Sequence, residues 1–181
     1  MVDEILLGLD VGTSAVKAGV FDARTGRPVA SATRKVAVDA RSDGAREILP
    51  KELLSAVRRC IRAVAREMPD RWSNLVGVGL AAQGGSGCLF HRGTGQSRTP
   101  MQLWNDSRPL RTLPDIAEQR PPSYWRDLAY LDGPGAGLAR LTWLRDHFPD
   151  TWDGDTLYGG AGEFLYFHLT GQWRQDAGNA L

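Results

Sequence analysis

Asp10, Gly12, Thr13, Ser14 and Lys17 crowd into one stretch of the chain, Leu7 to Asp22 (LGLDVGTSAVKAGVFD), and together they suit phosphate chemistry. Gly12 can take dihedrals that other residues avoid, and its missing side chain lets a phosphate approach the backbone closely. Thr13 and Ser14 add hydroxyls and amide donors. Asp10 puts a carboxylate where a hydrated magnesium ion would sit beside that phosphate, held through water. Two strands and a tight turn are needed to position these groups. Ile5, Leu6, Leu7 and Leu9 suit a buried strand, and Val16, Ala18, Val20 and Phe21 suit a second one following almost at once. The stretch therefore reads as a phosphate hairpin, with an ordinary hairpin and a polar turn as the plain alternative.

Two commoner phosphate loops are excluded. A Walker loop needs GxxxxGK[ST] entering a helix and a dinucleotide fingerprint needs GxGxxG entering a helix; neither string occurs, and Ala15 to Phe21 reads as strand.

The remaining elements follow in an order that defines a fold class. Asp22 to Pro28 supplies turn chemistry and Val29 to Val38 a third, half-exposed strand, so the first forty residues read as a meander. Ser42-Asp43-Gly44 marks a loop. Pro50 opens a helix with Leu53, Leu54, Val57, Ile61, Val64 and Ala65 at helical spacing, Pro69 ends it, and Arg58, Arg59, Arg62 and Arg66 form its solvated face. A short buried strand follows at Leu75 to Ala82. Strand, hairpin, strand, long helix, strand is the order expected of a ribonuclease-H-like α/β half-domain. Farther on, Gly137 to Phe148 reads as an amphipathic helix with a Leu138, Leu141, Leu144 and Phe148 stripe, stopped by Pro149, with Trp143 off the stripe.

Composition bounds the function classes. The 181 residues are 42% hydrophobic with a net charge of +1, enough for a sizeable core and too balanced for a nucleic-acid or membrane-binding field. Only Lys17, Lys35 and Lys51 among the 22 basic residues are lysine, an arginine skew associated with a GC-rich bacterial genome. Cys60 and Cys88 have no metal-ligand or CxxC spacing, so reduced thiols in the cytoplasm are the expectation. MVDEILLG is neither a signal peptide nor a transmembrane helix. His91, His147 and His168 are far apart in sequence and suggest no metal site.

The DxGT[ST]xxK pattern at Asp10 to Lys17 resembles the first phosphate motif of the superfamily joining sugar kinases, heat-shock chaperone ATPases and actin. Ala82 to Phe90 (AQGGSGCLF) resembles the FGGY carbohydrate kinases, in which a Gln followed by small or polar residues lies beside the sugar; Gly84 and Gly85 stand where xylulokinases usually have Met and His. Met101 to Arg108 (MQLWNDSR) looks like the family's WxDxR segment. The chemistry suits a polyol: a tryptophan face covers the C–H side of a sugar, while Asn105, Asp106 and Arg108 supply acceptors and donors for its hydroxyls. Simple core for Trp104 and a helix cap for Asp106 are the structural alternatives. Glu163 to Gly171 resembles the family's KDYLxxxLTG helix, with Gly162 and Glu163 departing from it, and Asp176 to Ala180 its TDxSNA segment.

The resemblance implies that residues 1–181 are the N-terminal lobe of a sugar kinase, incomplete, in an α/β ribonuclease-H-like (sugar kinase/actin superfamily) fold. It implies ATP-dependent phosphorylation of a sugar or polyol hydroxyl by the intact protein, a ketopentose such as xylulose being the first choice. ATP and Mg2+ are the cofactors implied. Asp10 would hold the metal through water, Gly12, Thr13, Ser14 and Lys17 would attend the phosphate, and Gln83, Trp104, Asn105, Asp106 and Arg108 the sugar; Lys17 is equally readable as a solvent-facing strand residue. The catalytic base and nucleotide lobe are expected beyond this chain, which is then an expressed fragment or a truncated gene product. A small-molecule sugar is the expected partner, nucleic acid and membrane are not, a homodimer stays open, and the cytoplasm is the expected compartment. The competing reading is a non-catalytic sugar-binding or regulatory fragment.

Overall fold

The computed structural model describes residues 3–129 and 132–175. In chain order the elements are β1 (Ile5–Val11), β2 (Ala15–Asp22), β3 (Pro28–Lys35), β4 (Asp39–Ala40), β5 (Arg46–Ile48), α1 (Pro50–Glu67), β6 (Leu75–Ala82), β7 (Cys88–His91), β8 (Met101–Gln102), α2 (Leu113–Ala117), α3 (Pro122–Ala129), α4 (Ala136–His147), β9 (Thr156–Gly159) and α5 (Ala161–Thr170). They fall into two compact units. The first is Met1–Val38 with Lys51–Gln83; the second is Asp39–Pro50 with Gly84–Leu181.

The first unit is built on a four-stranded sheet in the order β3-β2-β1-β6. The expected meander is present: β1 pairs antiparallel with β2, and β2 with β3. The third strand stops at Lys35 rather than Val38, with the Val36 N–H donating to the Ser14 carbonyl at 2.8 Å. β6 joins the other side of β1 in parallel, and its crossover contains α1. Alternation drives β1: Ile5, Leu7, Leu9 and Val11 are buried, and Val16, Ala18 and Val20 of β2 join them.

Helix α1 starts at Pro50, carries Glu52 in its first turn and Arg66 in its last, and so matches the helix dipole at both ends. Leu53, Ala56, Val57, Cys60 and Val64 form its buried face, and the Cys60 thiol lies 3.5 Å from the Val16 carbonyl, against the sheet. The buried stripe is thus rotated toward Ala56 and Cys60, leaving Leu54, Ile61 and Ala65 partly buried, while the four arginines are exposed as expected. Leu75 to Ala82 is a strand but not the buried one expected. Among the described residues only β1 pairs with it, so as an edge strand it leaves Val76 56% and Val78 51% exposed.

In the second unit, β4, β5 and β8 form a small antiparallel sheet and β7 pairs with β9. Ile116, Trp125 and Ala139 pack together, bringing α2, α3 and α4 into one cluster. A second aromatic group stacks Phe90 on Phe164 at 5.1 Å and Phe167 on Trp173 at 4.4 Å between ring centroids. The leucine stripe expected on the helix near Gly137 coincides only in part with its buried face. Leu144 is buried as expected and Leu141 and Phe148 are partly buried, but Leu138 is exposed, and Ala139 and Arg140 are buried because α4 turns a charged side chain inward. Gly171 stops α5 as expected, in the left-handed conformation at φ 74°. At the other end of α5 the Glu163 carboxylate accepts the Gly160 N–H at 2.8 Å. No helix among the described residues is long and apolar enough to cross a membrane.

Candidate functional site

The first group of candidate residues is set by the β1–β2 hairpin in the first unit. Its register places Asp10 opposite Lys17, and Lys17 Nζ lies 3.3 Å from Asp10 Oδ2, both side chains being largely exposed. The Gly12 N–H donates to the Ala15 carbonyl at 3.0 Å and closes the turn. Gly12 does not use the left-handed dihedrals open to it. A Cβ there would meet the Ala15 carbonyl oxygen at 3.4 Å, an ordinary contact, so the turn itself does not demand glycine.

Gln83 ends the neighbouring strand, its N–H donating to the Val11 carbonyl at 2.9 Å. The Thr13 hydroxyl donates to Gln83 Oε1 at 2.9 Å, tying the hairpin tip to the end of β6. Gln83 Nε2 is buried and has no partner among the described residues. The hairpin therefore brings Asp10, Gly12, Thr13, Ser14, Lys17 and Gln83 together. One exposed carboxylate suits Mg2+ better than Ca2+ or Zn2+, since Mg2+ keeps several waters and takes few protein ligands. Among the described residues no cluster of three or more His, Cys, Asp or Glu offers a closed metal cage.

The second group lies in the second unit, on the segment leaving β8. Trp104 is 57% exposed and Asn105 is exposed beside it, whereas Asp106 is fully buried. Asp106 Oδ1 accepts the Arg108 N–H at 3.0 Å and Arg108 Nε at 3.1 Å; Oδ2 accepts the Arg46 N–H at 3.0 Å and Arg108 Nη2 at 2.7 Å. Those four bonds take up the acceptor capacity of a carboxylate. Arg108 Nη2 also bonds Glu47, Glu47 bonds Arg41 Nη2 at 2.8 Å, and the Arg108 guanidinium stacks on Trp143 at 4.7 Å.

Electrostatics agree with that geometry. Burial by itself would raise the Asp106 pKa, but the hydrogen bonds from Arg108 and the Arg46 N–H outweigh it and hold the carboxyl below its ordinary value. The Arg108 pKa is raised, chiefly by the bond to Asp106 and then by the one to Glu47. Asp106 and Arg108, expected on the sugar side, also form a brace that holds the chain around Trp104 and Asn105. Glu47, Arg41 and the Arg46 main chain complete the brace. They lie some sixty residues upstream in sequence, as the Arg46 to Asp106 bond shows, and no local motif signals them.

Glu163, which stands where the motif has aspartate, serves as a helix-start acceptor. Asp176 to Ala180 lies outside the described residues. Both cysteines are free and buried, and burial pushes the Cys88 thiol up to about 12, which makes it unreactive.

A parallel-edged sheet with a phosphate-type hairpin at one strand end defines the class: the N-terminal domain fold of sugar kinases. The solved xyloylose kinase of Brucella ovis matches 98% of the chain with a TM-score of 0.86 at 26% identity, using 36% of its own length. Plasmodium falciparum glycerol kinase with ADP gives the same TM-score at 18% identity, a likeness of fold alone. Residues 5–181 match the N-terminal domain of the FGGY family of carbohydrate kinases, and the chain belongs to that family. Among curated relatives, the glycerol kinase of Aromatoleum aromaticum is 30% identical over 97% of the chain and 36% of its own length. A xylulose kinase of Staphylococcus epidermidis is 27% identical over 94% of the chain and 33% of its own length. The chain thus spans about a third of the length of the relatives it matches.

Proposed function

We propose that the intact protein transfers the γ-phosphoryl group of ATP to a hydroxyl of a small sugar or polyol, this chain supplying the phosphate hairpin and part of the sugar side. The observation that carries the reading is the hairpin itself: an exposed Asp10 and a Thr13 tied to Gln83 at adjoining strand ends, in a chain whose family is that of carbohydrate kinases. In-line phosphoryl transfer rests mainly on positioning and charge neutralisation. Mg2+, when bound, would neutralise phosphate charge. Asp10 would hold its water shell, Gly12, Thr13 and Ser14 would offer amides and hydroxyls to the phosphate, and Lys17 would add positive charge nearby.

On the sugar side, in the second unit, Trp104 would cover the C–H face and Asn105 would bond hydroxyls, and in the first unit the Gln83 amide beside Thr13 is proposed separately as a hydroxyl partner. The catalytic base and the nucleotide lobe are assigned to the portion that the longer relatives possess beyond the matched region. A ketopentose such as xylulose is the first choice in this reading, although Gly84 and Gly85 depart from the Met and His that xylulokinases usually carry there. Glycerol is the second reading, favoured by the glycerol kinase relatives. The buried free thiols agree with a reducing cytoplasm.

A coupled ADP-release assay on the intact protein, across xylulose, other ketoses, glycerol and longer polyols, tests the proposal. Sugar-dependent turnover abolished by Asp10→Asn is the expected result. Sugar binding with no turnover anywhere in the panel would instead support a non-catalytic sugar-binding role.

A further inference from the structure

Arg140 is 1% exposed, and no carboxylate pairs with it among the described residues. Its guanidinium ends on main-chain carbonyls: Nη2 donates to Leu103 at 3.3 Å and to Trp104 at 2.9 Å, and Nη1 donates to Ala136 at 3.3 Å. A charge buried in this way is unfavourable unless its bonds secure something. Two of the three bonds secure one short stretch, the main chain where the segment leaves β8, and the third closes on the first turn of its own helix.

The opposite flank of that stretch is held by a second buried charge, Asp106, through its bonds to Arg46 and Arg108. Between the two anchors stand Trp104 and Asn105, both exposed. Gly85, at φ 70°, completes the seat; a Cβ there would come 3.3 Å from the Trp104 Cβ. A main chain clamped from both sides has little backbone freedom left to lose beneath the exposed indole, and such preorganisation raises affinity by lowering the ordering cost of binding.

We infer that Arg140 is a positioning residue for sugar binding: it fixes the Leu103–Trp104 carbonyls so that the Trp104 ring meets a polyol already oriented. This deepens the proposed sugar-side role of Trp104 and rests on it. Arg140 itself touches no substrate. Its action on binding passes through Trp104 alone, which separates it from a side chain that merely stabilises the fold.

The test is a double-mutant cycle on the intact protein, with xylulose and glycerol binding read by calorimetry and folding by thermal unfolding. Arg140→Met should weaken polyol binding about tenfold, Trp104→Ala about as much, and the pair little more than Trp104→Ala alone, because residues acting as a unit are not additive. Arg140→Lys keeps a donor for the carbonyls and should recover most of the loss. It also serves as the folded variant if Arg140→Met does not fold. ATP affinity should stay unchanged throughout. Additive losses, or wild-type sugar binding in folded Arg140 variants, would overturn the inference while leaving Trp104 as a sugar residue. Unchanged binding in Trp104→Ala, or no polyol binding by the wild type, would overturn the sugar-side reading and this inference with it.

Discussion

The hairpin and the Trp104 segment solve the same problem, holding polar chemistry at a strand end, in opposite ways. At the hairpin, strand register and a short turn set the geometry, and Asp10 and Lys17 remain exposed. At the Trp104 segment the acid is spent on structure: Asp106 is buried under four hydrogen bonds, and the exposed positions are the indole and an amide. This contrast predicts that substitutions in the two regions fail differently, through turnover in one and through stability in the other.

The largest effect is expected at Asp106. Removing one partner from a buried, hydrogen-bonded charge pair costs about 3–5 kcal/mol, so chemical denaturation of Asp106→Ala should show a loss of that order. A folded, fully stable Asp106→Ala that no longer binds sugar would return Asp106 to the ligand set and erase the contrast. The same carboxylate carries an acid signature. Its pKa in the folded protein lies below the ordinary 3.8, so its stabilisation is present above that value and fades as pH falls through the folded one. Stability measured below about pH 4 should fall less steeply in Asp106→Asn than in wild type.

Asp10→Asn should do the reverse. Losing a group aimed at transferring-phosphate charge typically costs roughly a hundredfold or more in turnover, while sugar affinity and unfolding midpoint should hold, since the ion pair with Lys17 is exposed. Steady-state kinetics beside a melting curve would check it, and a matching fall in stability would sharpen the comparison toward a structural Asp10. The smallest change is expected at Gly85. An alanine there must adopt a positive φ close to Trp104, which should destabilise by about 1–3 kcal/mol and loosen sugar binding only modestly; calorimetry on the folded variant distinguishes the two.

Much of the first unit was legible in the sequence because its information is local. Alternating apolar residues announce β1 and β2, Asp10 to Lys17 announces the turn, and Pro50 with its helical spacing announces α1. The exposure of β6 was not legible, since an apolar run looks the same whether one neighbour or two pair with it. Arg140 was invisible for a related reason. A lone arginine in a helix reads as a solvated residue, and only the approach of the Leu103 and Trp104 carbonyls shows where its charge is satisfied.

By itself, then, the sequence determined β1 to β3, α1, β6, α4 and α5, where the tight turn lies, and the resemblance to FGGY carbohydrate kinases that the matched domain bears out. These follow from periodicity, turn chemistry and short motifs, all of which act over a few residues. Tertiary structure alone decided which polar groups are left for a ligand. It paired Asp106 with Arg108, Arg46 and Glu47, turned Arg140 inward, tied Thr13 to Gln83 and left Trp104 exposed. Whether a carboxylate or a guanidinium is spent or available depends on partners that are distant in sequence, and those partners exist only once the chain has folded.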